Sequence, residues 1–222
     1  MKILTEYEAK ILLKKYSIPV TKEYLAKTEE EAVEYAKKIG YPVVLKVMSP
    51  QIIHKTEAGC VLINVKNRND VKKGFRKILE NAKKYRSDAE IKGVLVQEMV
   101  KGADVREVIV GSKMDEQFGP VIMFGVGGIF VEVIKDISFR IIPIERKDAV
   151  QMIKEIKAYK ILEGVRGQKP INFQALEDCL MNVSKMVWEE KNIRELDINP
   201  LFVDEKNIKA GDARIVLEEV SK

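Results

Sequence analysis

The chain is poor in the residues that build zinc centres and disulfide frameworks. Its 222 residues include two cysteines, one histidine and one tryptophan. Cys60 and Cys179 lie far apart, and neither has a second cysteine or a histidine at metal-binding spacing. This pattern predicts reduced thiols and argues against a zinc site.

Long apolar runs are absent as well. No run approaches the roughly 18 residues of a membrane-spanning helix, and no charged segment followed by an apolar one stands at the N-terminus. We therefore expect a soluble, cytoplasmic protein without a membrane partner.

The sequence also lacks the two common glycine-rich phosphate motifs. Gly125, Gly127 and Gly128 precede a predicted strand, whereas a P-loop or a dinucleotide fingerprint opens a helix. We expect these glycines to allow a close approach of backbone to a phosphate or to another chain segment, or to form a tight turn.

Charge is abundant but mixed. The net charge is +5, from 39 basic and 34 acidic residues. The lysines are spread among the acidic residues and form no patch with interleaved aromatics, so no nucleic-acid partner is expected. Such a surface is typical of heat-tolerant proteins.

The order of predicted elements indicates a mixed α+β fold. Thr5 and Thr28 each begin a capping box with a glutamate three residues later, and Asn69-Asp70 is expected to cap a third helix. Strands are predicted at 20–26, 42–47, 60–65 and 94–100, and then as an antiparallel set at 106–111, 121–125 and 128–144. Helices are predicted at 148–162 and 173–190, followed by a hairpin of 194–203 and 208–217. We expect two lobes with a cleft between them.

Residues 41–60 carry the most unusual side chains. Lys46 lies in a β-branched run that predicts a buried strand, where a lysine needs an anion, either a nucleotide phosphate or a structural ion pair. His54 lies in the following loop, and a neutral imidazole there is able to accept and pass on a phosphoryl group, although a lone histidine is more often structural.

Acidic residues inside the C-terminal hairpin suggest a metal site. In the run RELDINP, strand alternation directs Glu195, Asp197 and Asn199 to one face, and Asp212 lies on the partner strand. Carboxylate and amide oxygens suit Mg²⁺, which leaves its other positions to water and phosphates. The alternative is that Asp197 and Asn199 only hydrogen-bond the turn.

Two further acidic residues are candidates for nucleotide contacts. Glu98 and the backbone near Met99 stand at a strand end where they suit an adenine edge, with Val100 packing on its face; Glu107 suits ribose hydroxyls. Taken alone, Glu98 is better explained as an exposed strand end.

Together these segments resemble the nucleotide-binding subunit of ADP-forming acetyl-CoA synthetases (acetate–CoA ligases), relatives of the succinyl-CoA synthetase β subunit with an ATP-grasp fold. The resemblance runs along nearly the whole chain, through the segments YPVVLK, SPQIIHKTEAG, QEMV, REVIVG, FGPVIMFGVGGIFVE, LEGVRG, ELDINPLFV and DARI. Cys60 departs from it, since a second glycine usually follows Gly59; the cysteine would strain the loop if that position needed a positive φ.

The resemblance implies an N-terminal helix (1–20), a smaller ATP-grasp lobe (21–100) and a larger lobe with the metal-binding hairpin (101–222). It implies ATP or ADP bound with Lys46 on the phosphates, Glu98 and Val100 at the adenine and Glu107 on the nucleotide. Asn199 and Asp212 match the Mg²⁺ ligands, and Asp197 falls where many ATP-grasp proteins have glutamate. His54 matches the histidine that takes a phosphoryl group from a phosphohistidine on the partner, a CoA-binding α subunit, and delivers it to ADP.

The implied reaction converts acyl-CoA, ADP and phosphate to the acid, ATP and CoA, with acyl phosphate formed on the partner subunit. Two alternatives stay open. One is an ATP-sensing subunit without catalysis, and the other is a ligase that forms acyl phosphate in its own cleft, with His54 structural.

Overall fold

The computed structural model describes residues 1–127 and 136–219. The chain divides into two compact units, each with its own hydrophobic core. The first unit comprises Met1–Val20 and Lys101–Lys222, and the second unit comprises Thr21–Val100. The predicted strand 128–144 lies only partly within the described residues, and Gly128 lies outside them.

In chain order the elements are β1 (Lys2–Ile3), α1 (Glu6–Lys15), β2 (Glu23–Ala26), α2 (Glu29–Ile39), β3 (Val43–Met48), β4 (Val61–Val65), α3 (Arg68–Tyr85), β5 (Gly93–Glu98), β6 (Arg106–Asp115), β7 (Gly119–Val126), β8 (Ile137–Ile141), α4 (Arg146–Glu155), α5 (Tyr159–Leu162), α6 (Phe173–Glu189), β9 (Ile193–Val203), β10 (Ile208–Ala210) and β11 (Ala213–Leu217).

The second unit is a four-stranded antiparallel sheet with the strand order β2-β5-β3-β4. Alternate residues of β3, such as Val43 and Leu45, pack in one core with apolar residues of α2 and α3. On α3 these residues recur at helical spacing, from Val71 through Phe75 to Ile78. Both helices therefore cover the same face of the sheet.

The first unit is built on an antiparallel sheet with the order β1-β11-β9-β6-β7-β8, in which β10 also pairs with β9. The core on one face combines α1, α4 and α6 with alternate residues of the central strands, among them Val108, Ile122, Leu196 and Ile215. The N-terminal helix belongs to this unit, because β1 pairs with β11 and Ala9 and Leu13 of α1 enter its core.

Most predicted elements are confirmed, and the differences have identifiable structural causes. Both capping boxes form, at Thr5 with Glu8 and at Thr28 with Glu31. The predicted cap of α3 was wrong: Asn67 is the N-cap, and its side chain accepts a hydrogen bond from the Asp70 N–H at 3.0 Å.

The predicted helix 148–162 was wrong as a single element, because it is split into α4 and α5. The carboxylate of Asp136 accepts hydrogen bonds from the N–H groups of Lys157 and Ala158, both at 2.7 Å, and so satisfies the backbone where the helix is interrupted. This partner comes from a distant part of the sequence.

The predicted strands 20–26 and 208–217 also differ from the structure. The first begins only at Glu23, since Val20 forms a bridge to Ala210 in the first unit. The second is interrupted at Gly211 and Asp212, which separate β10 from β11. Among the residues described, no helix is long and apolar enough to cross a membrane.

Candidate nucleotide and metal site

The predicted metal-binding residues lie on β9, on the sheet face opposite the helices. Leu196 and Ile198 point into the core, so Glu195, Asp197 and Asn199 alternate onto the other face. This confirms the alternation that the sequence predicted for the run RELDINP.

A β-bulge changes the strand at the end of that run. Val110 of β6 pairs with Ile198, whereas Val108 pairs with Leu201, so that Asn199 and Pro200 together oppose Ile109. Two residues opposite one locally bend a strand and redirect its side chains. Beyond the bulge the inward positions are therefore Leu201 and Val203.

Asp212 lies beside this bulge. Gly211 donates its N–H to the carbonyl of Pro200 at 2.8 Å, and the carbonyl of Asp212 accepts the N–H of Asn199 at 3.3 Å. The bulge in β9 and the interruption between β10 and β11 are thus hydrogen-bonded to each other, and they bring Asp212 next to Asn199.

Negative charge accumulates at this point. Burial raises the pKa of the Asp197 carboxyl, and the carboxylates of Asp212 and Glu195 raise it further, against an opposing effect of Arg214. Arg214 is the cross-strand partner of Asp197 and its Nη1 donates to Glu195 Oε1 at 3.3 Å. Three neighbouring carboxylates and one guanidinium leave an excess of negative charge, which a cation would relieve.

Only two acidic residues belong to the predicted ligand set. Within residues 1–127 and 136–219, no group of three or more His, Cys, Asp and Glu side chains is arranged to hold a metal ion. The set Asp197, Asn199 and Asp212 instead offers two carboxylates and an amide. That number fits Mg²⁺, which keeps several positions for water and phosphate oxygens.

Glu107 lies on the same sheet face, on the strand next to β9. It is exposed, it pairs in register with Phe202, and its neighbours Arg106 and Val108 are buried. Gly127 donates its N–H to the Glu107 carbonyl at 2.7 Å, and a Cβ at position 127 would stand 3.0 Å from that carbonyl. This glycine therefore permits a close approach between chain segments, one of the roles predicted for it.

Lys46 lies in the second unit, on the central strand β3. It is 6% exposed, and its neighbours Leu45 and Val47 enter the core on the helix side of the sheet. Lys46 therefore lies on the opposite face, in register with Val61 on β4 and Leu95 on β5. The prediction of a buried lysine on a buried strand is confirmed.

Glu98 ends β5 and is tied into its own sheet. Its backbone N–H donates to the Lys22 carbonyl at 2.8 Å, and its Oε1 accepts the Lys22 N–H at 2.7 Å. Val100 follows two residues later and is half-buried. Glu98 thus fixes the end of the strand that leads to Val100, and one of its carboxylate oxygens is engaged in doing so.

His54 is presented to solvent by a loop with buried anchors. Its side chain is 68% exposed, and Nδ1 lies 3.8 Å from Oε1 of Glu57. Ile52 and Ala58 on either side are buried, and the Cys60 N–H donates to the Lys55 carbonyl at 2.8 Å. The imidazole is therefore accessible, while the backbone around it is held by hydrogen bonds.

Cys60 does not strain this loop. The positive φ falls on Gly59, at 63°, and Cys60 is not among the residues with positive φ. The thiol is fully buried, and its Sγ lies 3.4 Å from the Ala58 carbonyl. We expected strain in this loop only if Cys60 had a positive φ, and it does not have one.

The structure thus groups the candidates by unit. Glu107, Asp197, Asn199 and Asp212 lie on or beside one sheet face of the first unit, whereas Lys46, His54, Glu98 and Val100 belong to the second. Sequence reasoning missed Arg214, whose position opposite Asp197 follows from the hairpin register. It also missed Lys10, discussed below, because its spacing from Glu6 is that of an ordinary surface pair.

Comparison with known proteins identifies the family of this chain. The ATP-grasp domain model matches residues 1–217. The β subunit of acetate–CoA ligase (ADP-forming) II from Pyrococcus furiosus is 55% identical over 218 residues, which cover 97% of this chain and 92% of that subunit.

Two solved structures of an acetyl-coenzyme A synthetase from Candidatus Korarchaeum cryptofilum are also similar. One, in complex with coenzyme A, Ca-AMPCP and HgCl⁺, has a TM-score of 0.94 at 47% identity and covers 98% of this chain and 94% of its own. The other, with coenzyme A and Mg-AMPPCP and its phosphohistidine segment pointing towards the nucleotide-binding site, has a TM-score of 0.85 at 43% identity, covering 98% and 93%.

The match extends along almost the full length of both this chain and these three proteins. The chain therefore belongs to the ATP-grasp family of β subunits of ADP-forming acetate–CoA ligases.

Proposed function

We propose that this chain binds ADP and Mg²⁺ and passes a phosphoryl group through His54 to ADP, while a CoA-binding α subunit converts acetyl-CoA and phosphate to acetate and CoA. The net reaction turns acetyl-CoA, ADP and phosphate into acetate, ATP and CoA. The bond between phosphorus and the His54 nitrogen breaks as a terminal oxygen of ADP forms its bond to phosphorus.

The observation that carries the proposal is the convergence of Asp197, Asn199 and Asp212 at the bulge of β9. Their oxygens, with the carboxylate excess that raises the Asp197 pKa, fit a divalent cation. Bound there, Mg²⁺ would neutralise charge on the nucleotide phosphates, which is the principal requirement of phosphoryl transfer.

Lys46 is proposed to hold a phosphate. An ammonium on the stiff central strand of a sheet has little freedom of position, because its stem is packed among neighbouring strands. Glu98 and Val100 are proposed to contact the adenine, and Glu107 the nucleotide. The hydrogen bonds between Glu98 and Lys22 would keep that contact in place.

His54 is proposed as the nucleophile and then the donor. Its exposure supports this role, because the imidazole has to meet both an incoming phosphoryl group and ADP.

The name of a relative supports a partner subunit. The relative in Pyrococcus furiosus is named as a subunit β, which implies an α subunit. Here we propose that the α partner of this chain carries the CoA site and forms the acyl phosphate.

The test is turnover of the complex with its α partner, comparing wild type with His54→Ala and with Thr56→Ala as a control in the same exposed turn. We expect His54→Ala to lose ATP formation by more than about 10³-fold, as when a covalent nucleophile is removed, while ADP binding persists. Thr56→Ala should retain both. Normal turnover with His54→Ala would leave only the nucleotide-sensing or direct-ligase alternatives.

A further inference from the structure

Lys10 is a fully buried lysine on α1. Its Nζ donates to Oε1 of Glu6 at 2.9 Å, and both side chains are 0% exposed. A buried ion pair is costly to desolvate, and apolar side chains of similar volume often stabilise a fold equally well. The pair therefore calls for a role besides stability.

A second hydrogen bond indicates that role. Lys10 Nζ also donates to the carbonyl oxygen of Gly211 at 2.9 Å, across 201 positions of sequence. This carbonyl belongs to the peptide unit that ends at the nitrogen of Asp212. A charged donor makes the stronger kind of hydrogen bond, so Lys10 fixes the orientation of the peptide plane that leads into the metal-binding residue.

The other backbone groups around the interruption are also hydrogen-bonded, in their case to backbone partners. Ala210 donates its N–H to the Pro19 carbonyl at 2.8 Å, Gly211 donates to Pro200, and Asn199 donates to Asp212. Regular strand pairing stops between Ala210 and Ala213. Lys10 supplies a side-chain donor where the ladder is interrupted.

We propose that Lys10, with Glu6, is a positioning residue for the Mg²⁺ site. It holds the Gly211–Asp212 peptide so that the Asp212 carboxylate meets the cation together with Asn199 and Asp197. Glu6 balances the charge of Lys10, so the pair adds no net positive charge that would repel a cation near Asp212. This inference rests on the proposed function, through the role of Asp212.

The experiment compares the wild-type complex with the double variant Glu6→Leu/Lys10→Met, which replaces the pair with apolar side chains. Lys15→Met is the control, because Lys15 lies on the same helix and pairs with Glu190 at 2.8 Å on the surface. Two quantities are measured: the Mg²⁺ concentration that half-saturates ADP binding by calorimetry, and Tm. Mn²⁺ binding in the presence of ADP, followed by electron paramagnetic resonance, gives an independent reading.

We expect the half-saturating Mg²⁺ concentration of the double variant to rise by at least about 10-fold. This is the usual effect of losing a group that orients a metal ligand. The Tm of the double variant should stay close to that of Lys15→Met. The Mg²⁺ requirement of Lys15→Met should equal that of wild type. An unchanged requirement in the folded double variant overturns the inference.

If the double variant unfolds, Lys10→Arg replaces it. The guanidinium still pairs with Glu6 but does not place a nitrogen where Nζ lies. The Mg²⁺ requirement should rise severalfold at a near-native Tm, and an unchanged value overturns the inference. Failure of the proposed function has a different result: wild type itself, and not only the variants, would bind ADP without any dependence on Mg²⁺.

Discussion

Gly211→Ala is expected to destabilise the first unit by contact with a single ring. A Cβ added at Gly211 would lie 2.9 Å from Cδ2 and 3.1 Å from Cζ of Phe202, and closer still to Cε2. Gly211 does not have a positive φ. The backbone itself therefore accepts alanine, and the loss comes from the ring alone.

The magnitude follows from that contact. Overpacking of this kind costs roughly 1–3 kcal/mol, or about a 5- to 140-fold change in the unfolding equilibrium. Once the ring is removed by Phe202→Ala, Gly211→Ala should become neutral or gain up to roughly 1 kcal/mol, because alanine restricts the unfolded chain.

Denaturant unfolding of the four proteins in this cycle measures the coupling directly, from midpoints and slopes. The reasoning is refuted if Gly211→Ala is as stable as wild type with Phe202 in place. It is also refuted if the cost of Gly211→Ala is the same in the Phe202→Ala background.

Two further predictions follow from the structure. Asn67→Ala should cost about 1 kcal/mol of unfolding free energy, because the side chain that caps α3 is lost. Asn69→Ala, at the second residue of the helix, should change the unfolding free energy by less than roughly 0.5 kcal/mol. Equal effects in denaturant melts would contradict the assignment of the cap. Because the pKa of Asp197 is raised above its ordinary value of 3.8, the stability linked to its protonated form is present below that pH and lost as pH rises through the raised pKa. Without divalent cations at neutral pH, Asp197→Asn should therefore raise Tm. A lowered Tm would contradict the claim that burial and neighbouring carboxylates destabilise ionised Asp197.

Local sequence signals predicted the elements whose causes are local. The boxes at Thr5 and Thr28 need only residues three positions apart, and the alternation of Asp197 and Asn199 needs only one strand. These parts of the fold and of the site were accessible from the sequence because each depends on neighbouring residues.

The remaining features depend on partners far away in sequence. The bulge at Asn199 forms through pairing with another strand, β6, where two residues of β9 oppose Ile109. The interruption after α4 depends on hydrogen bonds to Asp136. Lys10 has the spacing of an exposed pair with Glu6, and only the packing of α1 against the sheet buries it. No local pattern distinguishes these cases from regular strands and surface helices.

The central claim is that His54 carries the phosphoryl group. The most direct measurement incubates the chain, with and without its α partner, with Mg²⁺ and γ-labelled ATP, and looks for acid-labile, base-stable phosphate on wild type and on His54→Ala. The account predicts label that maps to His54, is discharged by ADP and is absent from His54→Ala. A complex that turns over normally with His54→Ala and never acquires label would contradict it.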